Sequence, residues 1–481
     1  MVSAGVAAIA ERGLTTPARA VPAHRLAWER AAVDIVPDIV DAVGAPVHVM
    51  YPAQVRANIA AFRAAFAAAG VHGDIYYAKK ANKSACVVRA CAESDVGVDV
   101  SSIGELVGAL SGGVRGTDLM VTGPAKSDEL LWLAARHDAL IAVDSVDEFE
   151  RVPAGARVLL RMRAPGTSSR FGLTPAEAEA VLQRSAVVPP TSTPAHDAAS
   201  AYAARSSGAP VRLTGFSFHL SGYDPGARIA FATELFDWCA RARALGHPVT
   251  TISIGGGFGV DYVPAADFER FLAQSRPEWF HAGKEFGSYY PYSCASAGSD
   301  MLTEILNTLG PQLRSTGTRL AVEPGRALLA HAGFSVFQVQ GVKRIAAHGG
   351  SYDIATVGGT SLSLSEQWFA SEYLPDPILL TPNEGDPRSI RRDEGGPRAI
   401  PADAGTPDGG PYPTCVGAAT CLESDMLSWR KIPLPRRARI GDLLLYPNTA
   451  GYQMDSNESP FHDLPLPPKV VLGDDLRWRV S

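Results

Sequence analysis

The chain has 481 residues, of which 46% are hydrophobic and 20% charged, with a formal net charge of −6. That balance describes an ordinary globular protein long enough for two domains, and it excludes the concentrated basic surface that nucleic acid or an anionic membrane requires. Cys86, Cys91, Cys239, Cys294, Cys415 and Cys421 show no CxxC metal spacing, so no metal and no disulfide framework are expected, and such usage suits a reducing cytoplasm. The N-terminal MVSAGVAAIAERG has no basic stretch ahead of its apolar run, and no window approaches about 18 uninterrupted apolar residues, so neither export nor a membrane span is expected.

Taken in order, Pro46 to Tyr51 reads as an apolar strand stopped by Pro52, and Val55, Ile59, Phe62 and Phe66 recur at helical spacing over Gln54–Ala69. From there a beat of short strand, polar turn and helix repeats. Strands are expected at Ile75–Tyr77, Gly97–Val100, Asp118–Val121, Leu140–Val143, Val158–Met162, Leu213–Phe218, Thr251–Ile254 and Arg319–Val322. That series fits a (β/α)8 TIM barrel, whose active site gathers at the C-terminal strand ends; an open doubly wound sheet is the alternative. Polar groups collect at those ends: Lys80, Asp99, Thr122, Asp144, Arg161, His219, Gly255-Gly256-Gly257 and Glu323.

The stretch Tyr76 to Val87 carries adjacent lysines where the first barrel strand stops. Side chains alternate along a strand, so Lys79 and Lys80 are expected on opposite faces, and only one can overlook the strand end. A lysine held there is suited to forming an imine with a carbonyl, although a surface lysine pair would look the same. After the seventh strand, side-chain-free amides at Gly255–Gly257 suit a phosphate. After the eighth, Glu323-Pro324-Gly325-Arg326 adds a carboxylate and a phosphate-matched guanidinium.

Two excursions interrupt the barrel: a Pro/Ser/Ala-rich surface loop at 189–210, and 263–298, whose Trp279, Phe280, Phe286, Tyr289, Tyr290 and Tyr292 are a candidate lid or pocket wall, or plain packing. After Gly333 the rhythm changes to short strands at Phe334–Val342, Ile354–Val357 and Leu443–Tyr446, with a long polar segment at 381–413 expected to be exposed. The domains are therefore expected at 1–48, packing with the β-domain; 49–332, the barrel; and 333–481, a β-sandwich or barrel-like domain.

Tyr77-Ala78-Lys79-Lys80-Ala81-Asn82 fits the Y-A-x-K-A-N pattern of the fold-type III PLP-dependent decarboxylases, the family of ornithine, arginine and diaminopimelate decarboxylases. The glycine triplet and Glu323–Arg326 resemble its GGGF and EPGR elements, and Gly215–His219 its G-F-x-x-H segment. Asp99-Val100-Ser101-Ser102 with Glu105 resembles D-V-x-S-x-x-E, Ser168–Gly172 resembles S-K/R-F-G, and Ala450-Gly451-Tyr452 resembles G-A-Y with its first two residues exchanged. The strings CLESDMLSWRKIPLP and YPNTAGYQMDSNESPFH look closest to the Y4yA-like subgroup. Several motifs in order are far more specific than any one.

The resemblance implies pyridoxal 5'-phosphate on Lys80 as the Schiff-base lysine, His219 stacked on its ring, and Glu323 bonded to its pyridine nitrogen. It implies Gly256, Gly257, Gly325, Arg326, Tyr452 and, less closely matched, Ser221 on the phosphate, with Asp99 beside the cofactor. Cys421 and Asp425 would reach the active site of the partner subunit in a homodimer, Cys421 as proton donor after carboxylate loss and Asp425 as a substrate contact, with Glu423 and Arg161 completing the substrate set. Cys415, with no acid four residues on, is a decoy. One departure stands out: ornithine and diaminopimelate decarboxylases carry an acid directly after this cysteine, and here it is Leu422. The expected activity is α-decarboxylation of an amino acid or a derivative. The alternatives are a PLP-dependent racemase or epimerase, against which Cys421 weighs, and a silent homologue that only binds a partner, which would have no need of Lys80, Glu323, Arg326 and Cys421 together.

Overall fold

The computed structural model describes residues 17–185, 210–347, 350–364, 371–383, 386–392, 411–454, 457 and 459–481. The expected loop at 189–210 lies outside them apart from Pro210, as do 384–385 and 393–410 of the polar segment 381–413. The chain divides into two units, Val55–Gly259 with Ser296–Leu328, and Met1–Gln54 with Val260–Ala295 and Leu329–Ser481. Among the described residues no helix is long and apolar enough to cross a membrane.

The first strand, β1 (Val47–Met50), belongs to the second of these units and not to the barrel. Eight parallel strands then close a barrel: β2 (Gly73–Ala78), β3 (Gly97–Val100), β4 (Leu119–Val121), β5 (Leu140–Val143), β6 (Arg157–Arg161), β7 (Arg212–Ser217), β8 (Thr251–Ser253) and β9 (Arg319–Val322). Closure is made by β2 against β9, with Ile75 opposite Val322. The apolar runs are buried on both faces, as parallel strands under a ring of helices must be. Tyr76, Met120, Leu140, Leu159 and Ala321 form one cluster of this interior, each fully buried side chain of this kind contributing roughly 1.5–3 kcal/mol.

Short polar caps send the chain from strand end into helix. Ser102, Ser127, Ser145 and Thr174 each accept from the backbone amide three residues on, and Asp224 accepts from Gly226 and Ala227. Each cap contributes roughly 1 kcal/mol, and together they gather strand C-termini and helix N-termini at one mouth. The site is built there.

The second unit is a ten-stranded sheet. Its main path runs β13 (Asp386–Arg392), β12 (Ile378–Asn383), β16 (Leu443–Pro447), β10 (Gly333–Ala347), β1, β17 (Lys469–Leu472) and β18 (Trp478–Val480). The far half of β10 also pairs with β11 (Gly350–Val357), which leads to β14 (Tyr412–Gly417) and β15 (Met426–Leu434). Thus 381–383 and 386–392 of the segment expected to be exposed form part of a hairpin.

The aromatic stretch falls in the sheet unit and not in the barrel segment where it was expected. Tyr262, Phe268, Phe271, Trp279, Phe280 and Tyr292 are buried with Phe337, Tyr373 and Tyr446 in one core of this second unit, which agrees with the packing reading of the cluster. Tyr292 stands edge-on to Tyr373 at 5.5 Å, as aromatic quadrupoles favour. Under the same core the fully buried Arg430 pairs with Glu372 at 3.1 Å and Asp376 at 2.6 Å.

Candidate active site

The strand β2 ends before the lysines: Lys79–Ala81 is a 3-10 turn. The alternation expected of a strand is therefore replaced by a rotation of about a third of a turn per residue, and the two side chains still diverge. Lys79 is buried, its Nζ lying 3.5 Å from where a Cβ on Gly108 would stand, on the helix Ile103–Ser111 outside the barrel wall. Lys80 is exposed, and its charge acts on Asp99, Glu323 and His219. The main chain of β2 is tied to the eighth strand end by the Ala78 amide, which donates to the Pro324 carbonyl at 3.2 Å.

Glu323 and Asp99 are both buried in this mouth. Ser253 Oγ donates to Glu323 Oε1 at 2.6 Å, and Thr122 Oγ1 donates to Asp99 Oδ1 at 2.6 Å. Burial raises the Glu323 carboxyl above the usual carboxylate range, while the Ser253 bond and the charges of Lys80 and Arg161 pull it back. Burial, and then the Glu323 charge, push Asp99 up to about 7, against Lys80 and Thr122. For both carboxyls burial outweighs the nearby cations, so desolvation is what sets their direction.

His219 follows β7, and the Gly256 amide donates to its Nδ1 at 3.4 Å, leaving Nε2 as the protonated nitrogen of the neutral ring. Its crevice disfavours the imidazolium, as do Lys80, Arg161 and Arg228, holding it to about 3. The residue is exposed at the open mouth, so water softens that penalty without reversing it. His219 is thus neutral at neutral pH, suited to stacking on a flat ring.

The glycine triplet is shaped by what surrounds it. Gly255 and Gly257 adopt φ of +70° and +80°, and a Cβ on Gly256 would lie 2.6 Å from the Glu323 carbonyl. Arg228, which sequence reasoning missed, holds this loop. It is fully buried on the helix Pro225–Ala244, and it donates to the carbonyls of Gly256 at 3.0 Å, Gly222 at 2.8 Å and Asp224 at 3.0 Å. It thereby pins the glycine loop to the loop after His219, where Ser221 is exposed. No carboxylate among the described residues pairs with it. Its only sequence signal is an arginine on the inward face of a helix. Gly325 and Arg326 are buried after β9, Arg326 opening the 3-10 turn Arg326–Leu329. Arg161 is half-buried, paired with Asp144 at 2.9 Å, and its guanidinium lies 4.8 Å over the Phe171 ring.

The remaining candidates lie in the sheet unit. Cys421, Leu422 and Glu423 are exposed on the turn between β14 and β15. Asp425 is buried, accepting from the Ser361 amide at 2.8 Å and Thr420 Oγ1 at 2.5 Å. Its two oxygens each accept one hydrogen bond and so hold the turn in shape. Cys415 is fully buried, its thiol donating to the Trp429 carbonyl. Cys421 Sγ instead lies 3.2 Å from His462 Nε2, a partner that sequence reasoning also missed because 41 positions separate the two. Tyr452 sits in the turn after β16 at φ +72°, a backbone region uncommon for a tyrosine and often found at functional positions.

The family model for the pyridoxal-dependent decarboxylase pyridoxal binding domain matches residues 52–330. The chain is 35% identical over 452 residues to the y4yA protein of Sinorhizobium fredii, covering 91% of this chain and 89% of that one. It is 30% identical over 287 residues to the diaminopimelate decarboxylase of Deinococcus radiodurans, covering 56% and 58% of the two. Its fold matches the crystal structure of diaminopimelate decarboxylase from M. jannaschi with a TM-score of 0.66 at 18% identity, over 92% of this chain and 91% of that one. The barrel, its eight strand ends and these matches agree: the chain belongs to the pyridoxal-dependent decarboxylase family, in its Y4yA-like group, and its cofactor is pyridoxal 5'-phosphate.

Proposed function

We propose that the protein removes the α-carboxylate of an amino acid or amino-acid derivative as a homodimer, with Lys80 as the amine that carries the cofactor. The convergence of Lys80 on Glu323, Asp99 and His219 is the observation that carries this reading. The residues fit the cofactor. Among the described residues the buried Ser217 Oγ has no hydrogen-bond partner, the glycine triplet leaves no room for side chains, and a protonated ring nitrogen beside Glu323 would draw its burial-raised carboxyl toward the ionised form that pairs with it.

When bound, pyridoxal phosphate supplies a ring that accepts the electron pair released as carbon dioxide leaves. Glu323 would hold a proton against the ring nitrogen, and the neutral His219 would cover one ring face without adding charge. Gly256, Gly257, Gly325 and Arg326, with Ser221 and Tyr452, would hold the phosphate, and Arg228 would keep the glycine loop in place. Arg161, fixed by Asp144, and Glu423 would face the substrate. Cys421 of the partner subunit would return a proton to the substrate carbon. Exposure of Cys421 and Leu422 on the sheet unit supports a partner surface there.

Incubating the cofactor-loaded protein with pools of amino acids and measuring carbon dioxide tests the reading. Release from at least one pool, lost in Lys80→Ala, is the expected result; racemisation of an amino acid without carbon dioxide would overturn it.

A further inference from the structure

Each decarboxylation replaces a carboxylate on carbon by a hydrogen and so consumes one proton. A thiol that delivers this proton is left as a thiolate, and it must be recharged before the next turnover. The recharging group has to lie within hydrogen-bond reach of sulfur and also meet solvent. His462 satisfies both conditions: its Nε2 is 3.2 Å from Cys421 Sγ, and its side chain is exposed.

The backbone around it is unusual. His462 and Asp463 adopt φ of +62° and +55°, the left-handed region, at two successive residues that are not glycine. Each such residue costs on the order of 1 kcal/mol, so the chain is held in this shape by its surroundings. The ring of Phe461 stands edge-on to the imidazole at 4.5 Å. Across the pair, Asp425 clamps the cysteine turn through Ser361 and Thr420. Phe461 and Leu422 are 43% and 41% exposed, so the pair sits beside apolar surface that a covering molecule would desolvate.

We infer that His462 is the proton relay of Cys421. Cys421 gives its S–H proton to the substrate carbon; the imidazolium of His462 passes its Nε2 proton to the thiolate; the imidazole then takes a proton from water. One proton enters from solvent and one leaves on the product, so the cycle balances with no other reactant. His462 touches neither substrate nor cofactor in this scheme and works through the thiol. The inference rests on the reading of Cys421 as the proton donor.

The test separates the two. Alkylation of Cys421 by iodoacetamide, followed as mass gain on its peptide in the full-length protein without substrate, should slow about tenfold in His462→Ala and His462→Gln, because the base beside the thiol is gone. Carbon dioxide release should fall about tenfold to a hundredfold in both, and added imidazole should restore alkylation and turnover in His462→Ala, where it has room to bind. Rescue is a response that a purely structural histidine would not give. Unchanged alkylation in both variants overturns the relay. Wild-type turnover by Cys421→Ala overturns the reading beneath it, and alkylation in the histidine variants would still report whether the pair exists.

Discussion

The Arg228 guanidinium donates to the Gly256 carbonyl through both Nε, at 3.2 Å, and Nη2, at 3.0 Å, from a fully buried position. A buried cation satisfied by carbonyls of two different loops makes those loops one rigid body. Removing it leaves three or more carbonyls unpaired, each costing about 1–3 kcal/mol. Arg228→Met should therefore weaken pyridoxal phosphate retention about tenfold to a hundredfold in an absorbance titration, while the helix stays folded. Arg228→Lys should recover little, since an ammonium cannot span both loops. Wild-type affinity in both variants would show that the loops need no such tie.

Lys79 and Lys80 make a direct test of the mouth. Borohydride reduction of the cofactor-loaded protein should leave a pyridoxyl label on the Lys80 peptide, because Lys79 is buried toward Gly108 and Lys80 is the lysine whose charge reaches Glu323. Label on Lys79 would reverse the assignment.

Asp99 ties stability to pH. Its folded carboxyl keeps a proton up to about 7, first through burial and then through Glu323, whereas in the unfolded chain it ionises near 4. The folded form thus binds this proton more tightly. The stability it provides is complete below about pH 4 and is lost as pH rises to about 7, by on the order of 1.4 kcal/mol for each pH unit crossed between those two values. In the cofactor-free protein, denaturant midpoints between pH 4.5 and 7.5 should fall less steeply for Asp99→Asn than for the wild type. Parallel curves would mean that the proton is held elsewhere.

If each site draws Lys80 from one subunit and Cys421 from the other, Lys80→Ala and Cys421→Ala should each be nearly inactive alone. Random reassortment makes about half the dimers mixed, each with one intact site, so a mixture should recover about a quarter of wild-type activity. No recovery under conditions proven to exchange subunits would refute the shared site.

The barrel was legible because its signal is local. Each strand is a short apolar run, such as Leu140–Val143, followed by a cap such as Ser145, and periodicity finds such elements. The mouth residues were legible because they directly follow those runs. What escaped was non-local. Arg228 reaches Gly256 across 28 positions and His462 reaches Cys421 across 41. Nor does the apolar run Val47–Met50 disclose that its pairing partners are Gly333–Val336 and Lys469–Val471, on the sheet. Asp425 matched its motif, but only the fold shows that its oxygens accept from the Ser361 amide and the Thr420 hydroxyl.

The place of Asp425 in the cysteine turn sharpens the question of substrate. The position after the cysteine, acidic in ornithine and diaminopimelate decarboxylases, is Leu422, and it is exposed in the single chain. Asp425, four residues after the cysteine, accepts one hydrogen bond on each oxygen, and its remaining lone pairs would serve a polar or amino group nearer the middle of the substrate. Glu423 is exposed, but it stands one position further round the turn and would approach the substrate from a different direction than Leu422. A terminal ammonium brought against Leu422 in a covered pocket would lose hydration without gaining a partner, which costs at least about 3 kcal/mol and hence about a hundredfold in selectivity. Ornithine, lysine, arginine and diaminopimelate should therefore be poor substrates, and a larger or less basic amino acid the better one. Measuring kcat/KM for those four against neutral and conjugated amino acids decides the matter, and Leu422→Asp should raise the value for ornithine about tenfold or more. Efficient turnover of any of the four by the wild type would mean that another residue, Glu423 first among them, receives the far end of the substrate.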